Sequence, residues 1–98
     1  MARLIYTRRA LQDLERLTDF LLETEPALAL ATAELIAEAM QTLGNHPLIG
    51  RPAEQDMREL VISRGRTGYL ALYDYDEVRD VVLVLAIRHQ REAGYTSR

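Results

Sequence analysis

Apolar residues fall at two different spacings along the chain, and the change of spacing divides it into elements. Leu4-Ile5-Tyr6 is a short β-prone run, and Thr7 before Arg8-Arg9-Ala10 has the character of a helix cap. Leu14, Leu17 and Leu21, extended back to Ala10 and Leu11, recur at helical spacing through about Glu23. Asp13, Glu15, Arg16 and Asp19 fill the positions expected to face solvent. Glu25-Pro26 interrupts this helix, and Pro26 suits the first turn of a second. The second helix runs to Leu43 and places Leu28, Leu35, Ile36, Met40 and Leu43 on one stripe. Gly44-Asn45 stops it, and a loop of about a dozen residues follows, opening on "HPLIGRP" from His46 to Pro52.

Beyond the loop the spacing becomes that of strands. Arg58–Arg64 leads through a turn at 65–68 into Tyr69–Tyr75, and an acidic turn at Asp76-Glu77 precedes the apolar run Val81–Ile87. The order β-α-α-β-β-β predicts a single α+β domain over residues 1–98. An N-terminal strand and a helical hairpin precede a three-stranded antiparallel meander, with the helices packed on one sheet face.

A hairpin covers only one face, yet the last strand is apolar on both. Strict alternation points Val81, Leu83, Leu85 and Ile87 one way and Val82, Val84 and Ala86 the other. The preceding strand puts Tyr69, Ala71, Tyr73 and Tyr75 on one face. Tyrosine is common at interfaces, and an uncovered apolar face predicts a partner, with Tyr69, Tyr73 and Tyr75 as its contacts. Alternatively, loop 44–57 and the tail 89–98 fold over that face.

Composition narrows the function. The net charge is −3, and all twelve basic residues are Arg. That balance counts against direct nucleic-acid binding as the main activity, because affinity for phosphates comes from summed positive charge. No apolar stretch approaches the ~20 residues of a membrane span. The N-terminal apolar patch is too short for a signal-peptide core, and there is no Cys, so a cytoplasmic protein is expected.

The chemistry-bearing residues gather late in the chain. His46 and His89 are the only histidines, and their spacing offers no metal site. No cofactor is expected. Asp74–Asp80 begins like a calcium loop but lacks Gly at the sixth position and Glu at the twelfth, which leaves a solvated hairpin turn. Arg58 and Arg64 flank Leu60 and Ile62 on one strand face, and Arg88, His89, Arg91 and Tyr95 follow the last strand. RNA cleavage through a 2′-hydroxyl needs a base, an acid and a cation at the phosphorane. His89, Glu92 or Tyr95 could supply the first two and the arginines the third. The same residues equally suit a polar docking surface.

The arrangement of strand, helical hairpin, "HPLIGRP", "RELVI", a Tyr-bearing strand and "VVLVLAIRHQREAGY" resembles the RelE/ParE superfamily of toxins from type II toxin–antitoxin pairs. The likeness spans nearly the whole chain. Ala10-Leu11-Gln12-Asp13-Leu14 fits the start of the family's first helix, and Ile87–Tyr95 looks closest to the ParE branch. The resemblance implies a growth-inhibiting toxin neutralised by an antitoxin whose disordered segment wraps it, in keeping with an apolar face that needs cover. It also implies one of two targets. ParE-like members poison DNA gyrase, whereas RelE-like members cleave mRNA on the ribosome and tend to be strongly basic. The acidic balance and the absence of Lys favour the gyrase poison, a binding protein rather than an enzyme. Arg88, His89, Arg91, Tyr95, Arg58 and Arg64 are then the target-facing residues. The alternative is a RelE-like endoribonuclease with His89, Arg88 and Tyr95 as catalytic groups.

Overall fold

The computed structural model describes residues 1–65 and 67–95, so Arg66 of the predicted 65–68 turn and the last three residues of the tail lie outside it. The elements are β1 (Arg3–Tyr6), α1 (Arg8–Thr24), α2 (Pro26–Asn45), β2 (Arg51–Pro52), β3 (Arg58–Arg64), β4 (Thr67–Asp76) and β5 (Val81–His89). They form one sheet in the order β1-β5-β4-β3-β2, in which β1 runs parallel to β5 and the other pairs are antiparallel. The expected α+β order holds, with one strand more than the sequence indicated. β2 is only two residues long and sits inside the segment expected to be loop.

Local chemistry accounts for both helices. Thr7 caps α1, its hydroxyl oxygen accepting the Ala10 N–H at 3.1 Å. The buried face of α1 is Ala10, Asp13, Leu17 and Leu21, a helical stripe that contains a carboxylate where the pattern expected solvent. Leu11 is exposed instead. Pro26 occupies the first turn of α2, whose buried residues include Ala29, Thr32, Ile36, Met40 and Leu43, with Leu28 left partly exposed. α2 continues through Gly44 and Asn45 because the chain start packs on its last turn. The Ala2 N–H donates to the Gly44 carbonyl at 2.9 Å, and the Met1 and Leu4 side chains come against Gly44.

The core lies between the hairpin and one sheet face, around the fully buried Tyr73, Leu43, Ile87, Val82 and Val84. Two expectations are corrected here. Strict alternation along β5 fails because Leu72 pairs with Ala86 while Tyr73 pairs with Val84, which leaves Leu85 as the extra residue of a β-bulge. Past the bulge the facing inverts, and Ile87 joins Val82 and Val84 in the core rather than Leu83 and Leu85 on the other side. The tyrosines of β4 do not line an uncovered face either. Tyr69 and Tyr73 are 2% and 0% exposed beneath the helices, and only Tyr75 is partly open, its hydroxyl donating to Asp80 Oδ1 at 2.6 Å. Their rings are core, because the helices cover the face they share.

The opposite, open face carries Val61 of β3, Leu70 and Leu72 of β4, and Ala86 and Arg88 of β5. Leu70 and Ala86 are nevertheless buried, whereas Val61 is 48% exposed. In the described part of the tail, Arg91 and Glu92 stay with His89 on the helix side, and Tyr95 reaches the open face at Glu59 and Arg88.

Candidate functional site

Three strands and the tail converge on the open face. β2 brings Arg51 opposite Glu59 of β3. Arg51 Nε donates to Glu59 Oε1 at 3.0 Å, and Arg51 Nη2 donates to the same oxygen. The other carboxylate oxygen, Oε2, accepts the Tyr95 hydroxyl at 2.6 Å. The Arg88 guanidinium of β5 lies 5.2 Å from the centre of the Tyr95 ring, a cation–π distance. β4 separates β3 from β5, so Tyr95 reaches Glu59 by crossing above β4, roughly 10 Å for two strand spacings.

Glu92 sets the direction of that crossing. Its side chain accepts the His89 N–H at 2.8 Å through Oε1 and Arg16 Nη1 at 2.9 Å through Oε2. Its carbonyl accepts Arg88 Nη1 at 2.7 Å. The tail therefore leaves β5 in a turn fixed at both ends.

The electrostatics follow from the contacts. Burial raises the Glu59 carboxyl, but the hydrogen bonds from Tyr95 and Arg51 and the charges of Arg51 and Arg88 outweigh it, so the group is held below its ordinary range. Burial, then the hydrogen bond to Glu59 and that carboxylate's charge, push the Tyr95 phenol far up, with Arg88 opposing. At neutral pH the site holds a carboxylate, a protonated phenol and two guanidinium groups. It can bind charged and aromatic groups, with the Arg51 side chain 60% exposed.

Of the residues expected to face a target, Arg88 and Tyr95 meet on the open face, while His89 and Arg91 meet on the other. His89 is on the helix side of the sheet, its ring edge-on to buried Tyr69 with centres 5.1 Å apart. There it lines a groove of about 490 Å³ with Phe20, Leu28, Tyr69 and Arg91. The Arg91 N–H donates to His89 Nδ1 at 3.1 Å. Arg58 is engaged in structure, Nη1 donating to the Gly50 carbonyl at 2.8 Å and the Leu48 carbonyl at 3.2 Å. Arg64 reaches Glu38 of α2 across an exposed pair at 3.6 Å. Arg51 and Glu59 were missed as site residues. Both stand in motifs visible in the sequence, but their pairing depends on β2, which no periodicity in two residues can announce.

This architecture has relatives. A family model described as the ParE toxin of the type II toxin–antitoxin system parDE matches residues 4–94. Toxin RelE3 of Caulobacter vibrioides is 37% identical over 84 residues, covering 86% of this chain and 89% of that protein. Among solved structures, the chromosomal ParDE toxin–antitoxin system from P. aeruginosa superposes with a TM-score of 0.72 at 26% identity, covering 91% of this chain and 96% of that one. The RelBE2 toxin–antitoxin complex from Mycobacterium tuberculosis gives a TM-score of 0.59 at 25% identity, covering 91% and 98%. The chain thus belongs to the ParE toxin family of type II toxin–antitoxin systems, within the RelE/ParE superfamily.

Proposed function

We propose that this toxin acts as a ParE-like poison of DNA gyrase, binding the enzyme through the open-face cluster of Arg51, Glu59, Arg88 and Tyr95. The observation that carries this reading is the separation of His89 from Arg88 and Tyr95 by the thickness of the sheet. An acid–base set built on His89 and Tyr95 would have to act on one phosphate from two faces. The Glu59–Tyr95 pair also holds its proton firmly on the phenol, which suits binding better than proton transfer. The net charge of −3 points the same way.

The antitoxin in this reading covers exposed apolar residues of the helical hairpin, where Phe20 is 62% and Leu28 41% exposed beside the groove, rather than the buried Tyr69 and Tyr73. Such a surface suits a segment that folds on binding.

Purified toxin added to DNA gyrase, ATP and plasmid is expected to inhibit supercoiling and trap cleaved DNA. His89→Ala should remain active and Arg88→Ala should lose activity. A second reading, mRNA cleavage on the ribosome, draws on the convergence of a carboxylate, a phenol and two arginines on one face, and on the relative named RelE3. Gyrase left untouched at toxin excess, with mRNA cut on translating ribosomes, would overturn the first reading in favour of the second.

A further inference from the structure

Asp13 stands in mid-helix where the pattern of α1 expects a solvated charge, yet it is 3% exposed. A buried carboxylate needs hydrogen-bond donors, and its donor here lies 74 residues away, the backbone N–H of Ile87, 2.9 Å from Asp13 Oδ2. Arg16 Nη2 approaches the other oxygen at 3.5 Å.

The reason for the pairing lies at the edge of β5. β1 follows that edge only as far as Tyr6, and the Thr7 N–H makes the last strand-like bond, to the Val84 carbonyl at 3.0 Å. From Leu85 onward no strand among the described residues runs along that edge. Thr7 Oγ1 then donates to the Leu85 carbonyl at 3.0 Å, and Asp13 accepts from Ile87. Two side chains, one capping α1 and one inside it, carry on the hydrogen bonding that β1 leaves off.

The stretch they hold is the bulge. A bulge interrupts the ladder and leaves backbone groups to be satisfied elsewhere. It also decides which face each later residue takes, because a one-residue change of phase moves every side chain beyond it to the opposite side. Without the bulge, Ile87 would face outward and Arg88 would point toward the helices.

We propose that Asp13 is a positioning residue for the open-face cluster: by holding the Ile87 amide it fixes the bulge that turns Ile87 into the core and sets Arg88 beside Tyr95 and Glu59. Arg16 extends the same support, since its other nitrogen bonds Glu92, whose carbonyl holds Arg88. The functional meaning rests on the reading that this cluster meets the target, but the test addresses the cluster directly.

The measurement is the NMR titration of the Glu59 side-chain carboxyl in the full chain, because the Arg88 charge is one of the influences that hold it low. Asp13→Ala is expected to move the Glu59 midpoint upward, in the same direction as Arg88→Ala. Asp13→Asn keeps an acceptor oxygen and should stay closer to wild type. Lower global stability alone leaves the midpoint of the folded protein where it is, so an unmoved midpoint in folded Asp13→Ala overturns the proposal. Should Asp13→Ala fail to fold, Asp13→Asn is read in its place: its weaker neutral acceptor should give a smaller upward shift, and an unmoved midpoint overturns the proposal. A moved midpoint in a toxin that leaves gyrase untouched supports the positioning role and refutes only the target. An unmoved midpoint in a toxin that traps gyrase does the reverse.

Discussion

Tyr73→Phe removes a single oxygen from the centre of the protein, and the structure sets the size of the effect. The Tyr73 hydroxyl donates to the Pro47 carbonyl at 2.8 Å and accepts the Gly50 N–H at 2.9 Å, pinning the loop that delivers Arg51 to β2. Phenylalanine keeps the ring in its fully buried place and leaves both partners without the oxygen. Pro47 is only partly buried, so water can reach its carbonyl. Gly50 is buried, and an orphaned amide there costs about 1–3 kcal/mol. Taking about 2 kcal/mol, and about 4–8 °C per kcal/mol for a domain of this size, the variant should melt about 8–16 °C lower. It should still fold, since small domains have about 5–15 kcal/mol in hand. Thermal and urea unfolding followed by circular dichroism measure this directly. A fall in melting temperature below about 3 °C, with an unchanged urea slope, would show that the hydroxyl does not hold the loop and refute the reasoning.

Gly50→Ala attacks the same junction from the other side. A Cβ there would stand 2.6 Å from the Tyr73 hydroxyl oxygen and 3.0 Å from the Glu59 carbonyl oxygen, so the same denaturation experiment should show a loss at least as large as that of Tyr73→Phe. Acid should loosen the tail. Glu59 is held below its ordinary 4.5, so its contacts contribute fully above that pH and are lost as pH falls through the depressed folded value. The Tyr95 ring resonances should therefore stay constant from neutral pH to about 4.5 and change only below it. A change centred near neutrality would contradict the assignment.

Much of this protein could be read along the chain because the relevant signals are local. The spacing of Leu14, Leu17 and Leu21 is set by the 3.6-residue turn, the Thr7 cap acts within three residues, and Pro26 marks the first turn of α2 whatever surrounds it. The hairpin and the meander followed from such features, and the superfamily from a resemblance carried by "HPLIGRP", "RELVI" and "VVLVLAIRHQREAGY". Arg88 and Tyr95, which meet in the structure, were legible as candidates because they lie in a short polar run directly after an apolar strand.

What the sequence left open depends on contacts between distant residues. Alternation assigned Ile87 to the wrong face because a bulge adds one residue without changing composition, and the groups that fix it, Thr7 and Asp13, lie more than 70 positions earlier. Asp13 was assigned to solvent because a charge in a helical pattern has nowhere else to go until a backbone amide is brought to it. Tyr69 and Tyr73 looked like interface residues because amphipathic rings suit an exposed face as well as a core, and only the position of the hairpin decides between them. Glu59 became a site residue once β2 set Arg51 beside it and the tail carried Tyr95 across the sheet. Short-range periodicity determined the elements and motif resemblance the superfamily, whereas the tertiary structure decided which charged groups meet, because burial and pairing depend on the far side of the chain.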